Sequence, residues 1–175
     1  DYNMELIAVS IDTRRALATV PGMVSSKGWE YTVLTGKATD MQKATAVNFS
    51  QLLERTALAY PKMRIRFSTS NPQDMTLDVI HTMAKHKNIC NAIHLPVQSG
   101  SNRILKEMNR LHTREEYFEL IDNARKILPD CSISQDMIIG FPTETEQDHK
   151  DTMSLMEYVK YDFGYMFTYS ERPGT

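Results

Sequence analysis

The chain alternates short runs with a strand-like pattern and longer runs with a helical pattern. Met63, Ile65 and Phe67 alternate with polar residues, which predicts a strand with one polar face. Before this run, apolar side chains recur every three or four residues from Phe49 to Tyr60, which predicts a helix that ends at Pro61. Because strands and helices of this size alternate in parallel β/α proteins, we expect β/α units with right-handed crossovers.

The same alternation continues to the end of the chain. Thr113 with Glu116 and Thr143 with Glu146 have the spacing of capping boxes, which predicts two further helix starts. The remaining β-rich runs are bounded by glycine or proline, as strands commonly are. Strands are expected over about 31–34, 63–67, 89–95, 132–139 and 165–169, and helices over about 49–60, 74–85, 101–108, 113–127 and 143–160.

Polar residues cluster in the loops that follow the predicted strands, where parallel β/α folds place their chemistry. The segment Gln98–Ser101 lies where a strand gives way to a helix, so an amide, two hydroxyls and a helix N-terminus converge there. Such a loop suits a carboxylate, a ribose or a phosphate, and a polar turn without a ligand is an equal alternative. The other loops of this kind are 35–40, 68–72, 140–143 and 170–175.

Asp136 stands in an otherwise apolar strand, on the same face as Ser132 and Ser134. An unpaired buried carboxylate is costly, so this side chain must be hydrogen-bonded or face a polar cavity. The pattern favours contact with a ligand over a structural hydrogen bond.

His94, at the end of the preceding strand, could act as an acid or base. A structural role is favoured because no second ligand stands at metal-binding spacing.

Two further groups of residues allow a structural and a functional interpretation. Tyr165, Phe167 and Tyr169 alternate on the last strand and are predicted to fill the core, with stacking on a planar ring as the alternative. Cations cluster in residues 85–87 and 103–114. We interpret these cations as solvated helix faces, with contact to phosphate groups as the alternative.

Length and composition narrow the class of protein. The 175 residues are the size of one domain, and 41% hydrophobic with 24% charged residues is typical of soluble globular proteins. The apolar runs fall far short of the roughly 20 residues that span a bilayer, so no membrane association is expected. The first residue is Asp1, not Met, which predicts a piece of a longer protein.

The net charge bears on whether the chain binds nucleic acid, and the cysteines bear on its cellular compartment. A net charge of −2 gives no overall attraction to nucleic acid, so an RNA partner would need a local patch or another domain. Cys90 and Cys131 fit reduced thiols of the cytoplasm better than a disulfide framework. No phosphate-binding glycine loop, Cys-x-x-Cys pair or His-Glu-x-x-His motif is present. The residues alone therefore predict a β/α domain with a candidate small-molecule site.

Several motifs follow one another along the chain: IHLPVQSGS at 93–101, MNR at 108–110, TREEY at 113–117, DMIIGFPTETE at 136–146 and YSERPGT at 169–175. Read in this order, they resemble the radical S-adenosylmethionine methylthiotransferases, over about residues 46–175. RIRFSTSNP at 64–72 resembles the branch of that family that modifies tRNA by adding a methylthio group to isopentenyladenosine beside the anticodon.

The resemblance implies a partial, open β/α barrel, with parallel strands and outer helices. Residues 1–175 would be a single, incomplete central domain that lacks the family's N-terminal iron–sulfur domain and C-terminal RNA-binding β-barrel. It also implies S-adenosylmethionine and 4Fe–4S clusters as cofactors, and tRNA and an electron-donor protein as partners, in the cytoplasm. The residues implied in the S-adenosylmethionine pocket are Gly36, Gln98, Ser99, Gly100, Asp136, Gly140, Phe141 and Pro142.

The chain departs from the family at the cluster motif. Three thiolates of the pattern Cys-x3-Cys-x2-Cys hold three irons and leave the fourth iron for S-adenosylmethionine. Alignment on the flanking residues puts Asp1, Glu5 and Ala8 at those three positions, and residues 1–45 match only weakly. Residues 1–45 would then be engineered, mis-assigned or degenerate. We therefore expect no cluster on this chain and no activity from it alone.

Two functions from other classes remain compatible with the sequence. One is a noncatalytic RNA-binding or scaffold domain derived from the same fold. The other is a barrel enzyme without a cofactor that uses Asp136 and His94 as acid and base.

Overall fold

A parallel sheet with helices forms the framework of the computed structural model, which describes residues 48–68 and 71–171. Within those ranges the strands β1 (Ala92–His94), β2 (Ser132–Ile139) and β3 (Phe163–Thr168) lie side by side in that order, and both pairings are parallel. The helices are α1 (Phe49–Ala59), α2 (Leu77–Lys85), α3 (Asn102–Glu107), α4 (Arg114–Ile127) and α5 (Glu146–Val159), with a short 3-10 helix at Pro72–Asp74.

Helices connect each pair of neighbouring strands. The chain passes from β1 to β2 through α3 and α4, and from β2 to β3 through α5. These connections confirm the predicted α/β class, with parallel strands and outer helices. No helix in the described part of the chain combines the length and the apolar character needed to cross a membrane.

The two faces of the sheet differ in character. On one face, Ile93, Ile133 and Met137 are almost fully buried and belong to one core with Ile121 of α4 and Leu155 of α5. Because side chains alternate along a strand, the residues between them point to the opposite face. The register then places His94, Ser134, Asp136 and the aromatic residues of β3 together on that second face, which we call the open face.

The predicted strand at 63–67 is reduced to a single bridge. Ile65 pairs in parallel with Ile89, through hydrogen bonds from Ile65 N to Asn88 O (2.7 Å) and from Cys90 N to Ile65 O (2.8 Å). The predicted helix over 74–85 is also divided. Asp74 is the last residue of the 3-10 helix, Met75 and Thr76 lie between the two helices, and α2 begins at Leu77, after the extended backbone of its N-cap Thr76.

The structure confirms one predicted capping box and moves the other. At α4, Glu116 N donates to Thr113 Oγ1 (3.2 Å) and Thr113 N donates to Glu116 Oε2 (2.7 Å). At α5, the predicted pair of Thr143 and Glu146 was wrong, because the N-cap is Thr145, which pairs with Asp148. Thr143 instead lies in a turn with φ of 71°.

The prediction that Tyr165, Phe167 and Tyr169 fill the core was wrong. The side chains of Tyr165 and Phe167 are 58% and 50% exposed, and Tyr169 is half-buried. The reason is position, because β3 is the edge strand of the described sheet and no described element covers its open face.

Residues 99–101 pack closely against α5. Gly100 N donates to Thr152 Oγ1 (2.9 Å), and a Cβ atom on Gly100 would stand 2.5 Å from Thr152 Cα. Only glycine allows this approach of the two backbones. Arg114 secures the same contact from α4, since its guanidinium donates to Gly100 O (2.9 Å).

The revised N-cap of α5 leads to a first prediction. Thr145→Ala should lower the free energy of unfolding by about 1 kcal/mol, because it leaves the first-turn amide of Asp148 without its acceptor. Thr143→Ala is the matched control and should change stability much less, since Thr143 lies outside the helix. Denaturant unfolding followed by circular dichroism measures both, and equal losses would contradict this assignment of the cap.

Asp148 leads to a prediction about pH. Hydrogen bonds from Arg103, Ser101 and Thr145 lower the pKa of this carboxyl well below its usual range. In the unfolded chain, the pKa of this aspartate returns to about 3.9. The ionised carboxylate therefore stabilises the folded state above about pH 3.9, and this stabilisation is lost as the pH falls toward the lower pKa of the folded state. Asp148→Asn should reduce stability at neutral pH and weaken its dependence on pH from about 5 down to the lowest pH at which the chain stays folded.

Denaturant unfolding across that range tests the pH prediction. The control is Asp130→Asn in the exposed turn after α4, which should keep the acid-induced loss of stability seen in the unmodified chain. An Asp148→Asn variant with an unchanged pH dependence would show that another group is responsible.

Candidate active site

Three polar side chains meet on the open face of the sheet. His94 Nδ1 lies 2.9 Å from Ser134 Oγ, and His94 Nε2 lies 3.5 Å from Asp136 Oδ1. His94 is the last residue of β1, directly opposite Ser134 in the register, and Asp136 is two residues further along β2. The predicted shared face of Ser134 and Asp136 is therefore confirmed, and His94 joins them.

The hydrogen-bonding capacity of these groups suggests how they are arranged. The Ser134 hydroxyl has one proton, which it can donate to Ile93 O at 3.4 Å while accepting from Nδ1 of His94, or donate to Nδ1 itself. In either arrangement Ser134 fixes the ring of His94, whose Nε2 faces the Asp136 carboxylate. Ser134 is only 4% exposed, so its hydroxyl is poorly placed to attack a substrate. The cluster is better suited to orienting the Asp136 carboxylate, whose side chain is 26% exposed.

A small cleft of about 220 Å³ opens beside this cluster. Both polar and aromatic side chains line it. Because ligand pockets usually enclose about 300–1,000 Å³, the cleft has room for part of a ligand. Its lining includes Arg66, Ser68, His94, Ser134, Phe163 and Tyr165.

The predicted loop of Gln98, Ser99 and Gly100 divides into two parts. Gln98 has φ of 72°, and its backbone is joined to β2 by bonds from Gln98 N to Asp136 O (3.0 Å) and from Ile138 N to Gln98 O (2.9 Å). The structure thus brings Gln98 beside Asp136. Ser99 is fully buried with its hydroxyl 3.4 Å from that of Thr152 on α5, and Gly100 also faces α5.

The turn of Gly140, Phe141 and Pro142 follows β2 directly. Gly140 has φ of 70°, and the carboxylate of Glu144 accepts hydrogen bonds from Gly140 N (2.5 Å) and Phe141 N (3.2 Å). The ring of Phe141 packs edge-on against Tyr169 at 5.1 Å between centroids. Glu144 therefore fixes the shape of a turn whose Gly140 and Pro142 remain exposed.

Sequence reasoning missed the contribution of Glu144. The available signal was its position four residues after a glycine that ends a strand, where a carboxylate can reach back to free amide groups. The contact of His94 with Asp136 was also missed, since the pairing of β1 with β2 could not be read from spacing.

Three of the basic residues predicted as solvated faces make contacts within the protein. Arg103 forms an ion pair with Asp148 and donates to Thr143 O (2.6 Å). Arg114 donates to Gly100 O and lies 4.7 Å from the centre of the Phe118 ring. In the other run, Lys85 pairs with Glu54 (2.5 Å).

The predicted pocket residue Gly36 and the cluster positions Asp1, Glu5 and Ala8 lie outside the described residues. Among residues 48–68 and 71–171, no three His, Cys, Asp or Glu side chains come together as a metal site. Cys90 and Cys131 are free thiols, and burial raises the pKa of Cys131 to about 11.

Curated relatives match much of this chain. A protein of Christiangramia forsetii named tRNA-2-methylthio-N(6)-dimethylallyladenosine synthase is 78% identical over 138 residues, which are 79% of this chain and 29% of the relative. A protein of Flavobacterium johnsoniae with the same name is 77% identical over 138 residues, with the same shares covered. The chain thus spans less than a third of the length of these relatives.

Solved structures share the fold at low sequence identity. Coproporphyrinogen III oxidase of Escherichia coli aligns with a TM-score of 0.58 and 22% identity, over 73% of this chain and 30% of that one. A radical S-adenosylmethionine methyltransferase of Kitasatospora setae aligns with a TM-score of 0.55 and 14% identity, over 69% of this chain and 22% of that one.

The family model of the radical SAM superfamily matches residues 8–156, which is most of the chain. Its match agrees with the parallel sheet, the outer helices and the loops at the strand ends described above. The chain belongs to the radical SAM superfamily.

Proposed function

We propose that this chain is the central part of a tRNA methylthiotransferase, which adds a methylthio group to isopentenyladenosine beside the anticodon. The observation that carries the proposal is the 78% identity over 138 residues to a relative named for that reaction. The remaining domains, the contact with tRNA, the electron donor and the cytoplasmic location would belong to the whole protein.

The described residues fit one part of S-adenosylmethionine. The Asp136 carboxylate is partly exposed and can accept hydrogen bonds from an ammonium or hydroxyl group, while His94 holds its orientation from 3.5 Å. Gln98 and the Gly140 turn, fixed by Glu144, would border the ligand at the carboxyl ends of the strands. When bound, S-adenosylmethionine and an iron–sulfur cluster would supply the radical chemistry.

The cluster would need ligands that the first residues of this chain do not offer. Asp1, Glu5 and Ala8 provide no thiolate, and Ala8 has no donor atom in its side chain. In the described part of the chain, Cys90 and Cys131 form no metal site with other residues. We therefore propose that this chain is inactive by itself, while residues 48–171 keep the scaffold of an active enzyme.

A second candidate function follows from the contact between His94 and Asp136. An imidazole beside a carboxylate can transfer protons without any cofactor, so a barrel enzyme with acid–base chemistry is compatible with the same site. The methylthiotransferase remains favoured, since the relatives reported above carry the name of that activity. A noncatalytic RNA-binding role is less favoured, because Arg103 and Arg114 are engaged within the protein.

An exchange of segments tests the proposed function. Residues 48–171 of this chain replace the matching segment of the Flavobacterium johnsoniae relative, which is 77% identical over its aligned part. We expect this chimera to restore 2-methylthio-isopentenyladenosine in a bacterial strain lacking that modification, measured by mass spectrometry of tRNA nucleosides. Loss of the modification in a folded chimera would contradict the proposal.

A second chimera isolates the effect of the first residues. It carries residues 1–171 of this chain, so Asp1, Glu5 and Ala8 replace the relative's own residues. After anaerobic reconstitution with iron and sulfide, we expect neither a cluster on this domain nor cleavage of S-adenosylmethionine to deoxyadenosine. Cleavage at the level of the first chimera would show that the cluster ligands are misassigned.

Asp136→Asn tests the proposed cofactor contact. In the first chimera, this change should weaken binding of S-adenosylmethionine about 10- to 100-fold, the usual effect of losing a hydrogen bond to a charged group. Calorimetry measures the affinity, and circular dichroism verifies the fold. Asp130→Asn, in an exposed turn, is the matched control and should bind as the unmodified chimera does. An unchanged affinity in Asp136→Asn would remove that residue from the site.

A further inference from the structure

A larger cleft lies away from the candidate active site. Its volume is about 500 Å³, which is within the range of ligand pockets. The segments that line it come before strand positions: residues 62–64 precede the bridge at Ile65, Asn91 precedes β1, and Leu128 precedes β2. Because these strands are parallel, the segments meet at the edge of the sheet opposite to the loops of the candidate site. We call this space the amino-edge cleft.

Three cations line the amino-edge cleft, and its described lining residues include no aspartate or glutamate. Lys62, Arg64 and Lys87 are all exposed. Within residues 48–68 and 71–171, no carboxylate forms an ion pair with any of them, whereas the nearby Lys85 pairs with Glu54. Like charges gathered in one cleft repel each other and raise its positive potential, which attracts an anion.

Packing and one hydrogen bond fix the shape of the amino-edge cleft. Met83, Ile89 and Leu128 line it, and all three are almost fully buried in the core. Arg64 Nε donates to Cys90 Sγ at 3.0 Å, which orients the guanidinium. Since a guanidinium has five N–H donors, four remain for a ligand. A site that is already formed loses less entropy when a ligand binds.

The lining also indicates the chemistry of the anion. Guanidinium and ammonium groups are the usual partners of phosphate oxygens. One phosphate group carries a charge of about −1.5 to −2 at neutral pH, so three cations match linked phosphate groups better than a single one. None of the described lining residues is aromatic, and the cleft therefore offers no ring on which a base could stack.

We propose that the amino-edge cleft binds an anion with linked phosphate groups, held by Lys62, Arg64 and Lys87. Either a free phosphate compound or an RNA backbone could supply these groups. An apolar segment in the same place would leave the three cations without a counter-charge. The proposal is independent of the proposed function, because the cleft lies at the other edge of the sheet from the candidate active site.

Substitutions of single cations test the site, with inorganic pyrophosphate as the probe. Arg64→Gln and Lys87→Gln each remove one positive charge from the cleft. Lys150→Gln is the matched control, because it removes the same charge from an exposed position on α5 that does not line the cleft. All variants are made in the full 175-residue chain, and denaturant unfolding verifies that each one folds.

Calorimetry at low ionic strength measures the affinity for pyrophosphate. Arg64→Gln and Lys87→Gln should each weaken binding about 5-fold, the size of effect expected when one exposed ion pair is lost. Lys150→Gln should bind as the unmodified chain does. The proposal is overturned if the unmodified chain fails to bind pyrophosphate, or if the Arg64 and Lys87 variants bind it as tightly as Lys150→Gln.

The two cysteines report where pyrophosphate binds. Cys90 lines the amino-edge cleft and Cys131 does not, and both are half-buried free thiols. Pyrophosphate should slow the alkylation of Cys90 by iodoacetamide in proportion to the fraction of the chain that is occupied, and leave Cys131 unaffected. Mass spectrometry of the peptides measures both rates. An unchanged rate for Cys90 at saturating pyrophosphate would place the anion elsewhere and overturn the proposal.

A uridine hexanucleotide then identifies the source of the phosphate groups. Tighter binding of this RNA than of pyrophosphate, weakened in Arg64→Gln and not in Lys150→Gln, would assign the cleft to an RNA backbone. The reverse order of affinities would assign it to a free phosphate compound. We expect the second result, because the net charge of −2 gives the chain no overall attraction to a long polyanion. Either order supports a phosphate site.

Discussion

The buried carboxylate of Asp148 is the interaction on which the site-bearing loops depend. It accepts hydrogen bonds from Ser101, the N-cap of α3, and from Thr145, the N-cap of α5, and it forms an ion pair with Arg103. One side chain thus joins the starts of two helices that follow different strands. Since a buried charge is tolerated only when its neighbours satisfy it, the three partners must keep their places together. This requirement fixes the spacing of the 98–101 and 140–145 segments.

The close contact between Gly100 and α5 also positions the loop that borders the open face. A side chain at this position would collide with the α5 backbone, so the strand-to-helix loop can approach α5 only at a glycine. Gln98, two residues earlier, is then held against β2 by two backbone hydrogen bonds next to Asp136. Residues 99 and 100 therefore act mainly as support, while the partly exposed Asp136, beside the buried Gln98, stands where a ligand could reach it.

Much of this arrangement could be predicted from local patterns, and the rest depended on packing between distant segments. The helix at Thr113 was predictable because its cap is formed within four residues. The start of α5 was not, because Thr143 and Thr145 both stand three residues before an acidic residue, and only the contacts of Asp148 with Ser101 and Arg103 favour the second. The burial of the aromatic residues of β3 was predicted wrongly, because a periodic pattern shows which residues share a face of the strand but not whether another element covers that face.

The residues of the site also differ in this way: some can be identified from the local sequence, and others only from contacts between distant segments. Asp136 could be identified from sequence, since a carboxylate inside an apolar strand needs a polar neighbour. Its neighbour His94 could not, because 41 positions separate the two residues and only the parallel pairing of β1 with β2 joins them. The Asp136 carboxylate, with Nε2 of His94 at 3.5 Å and about a quarter of its side chain exposed, can still accept a hydrogen bond from a donor that reaches the open face. The site therefore depends on a contact that only the folded sheet creates.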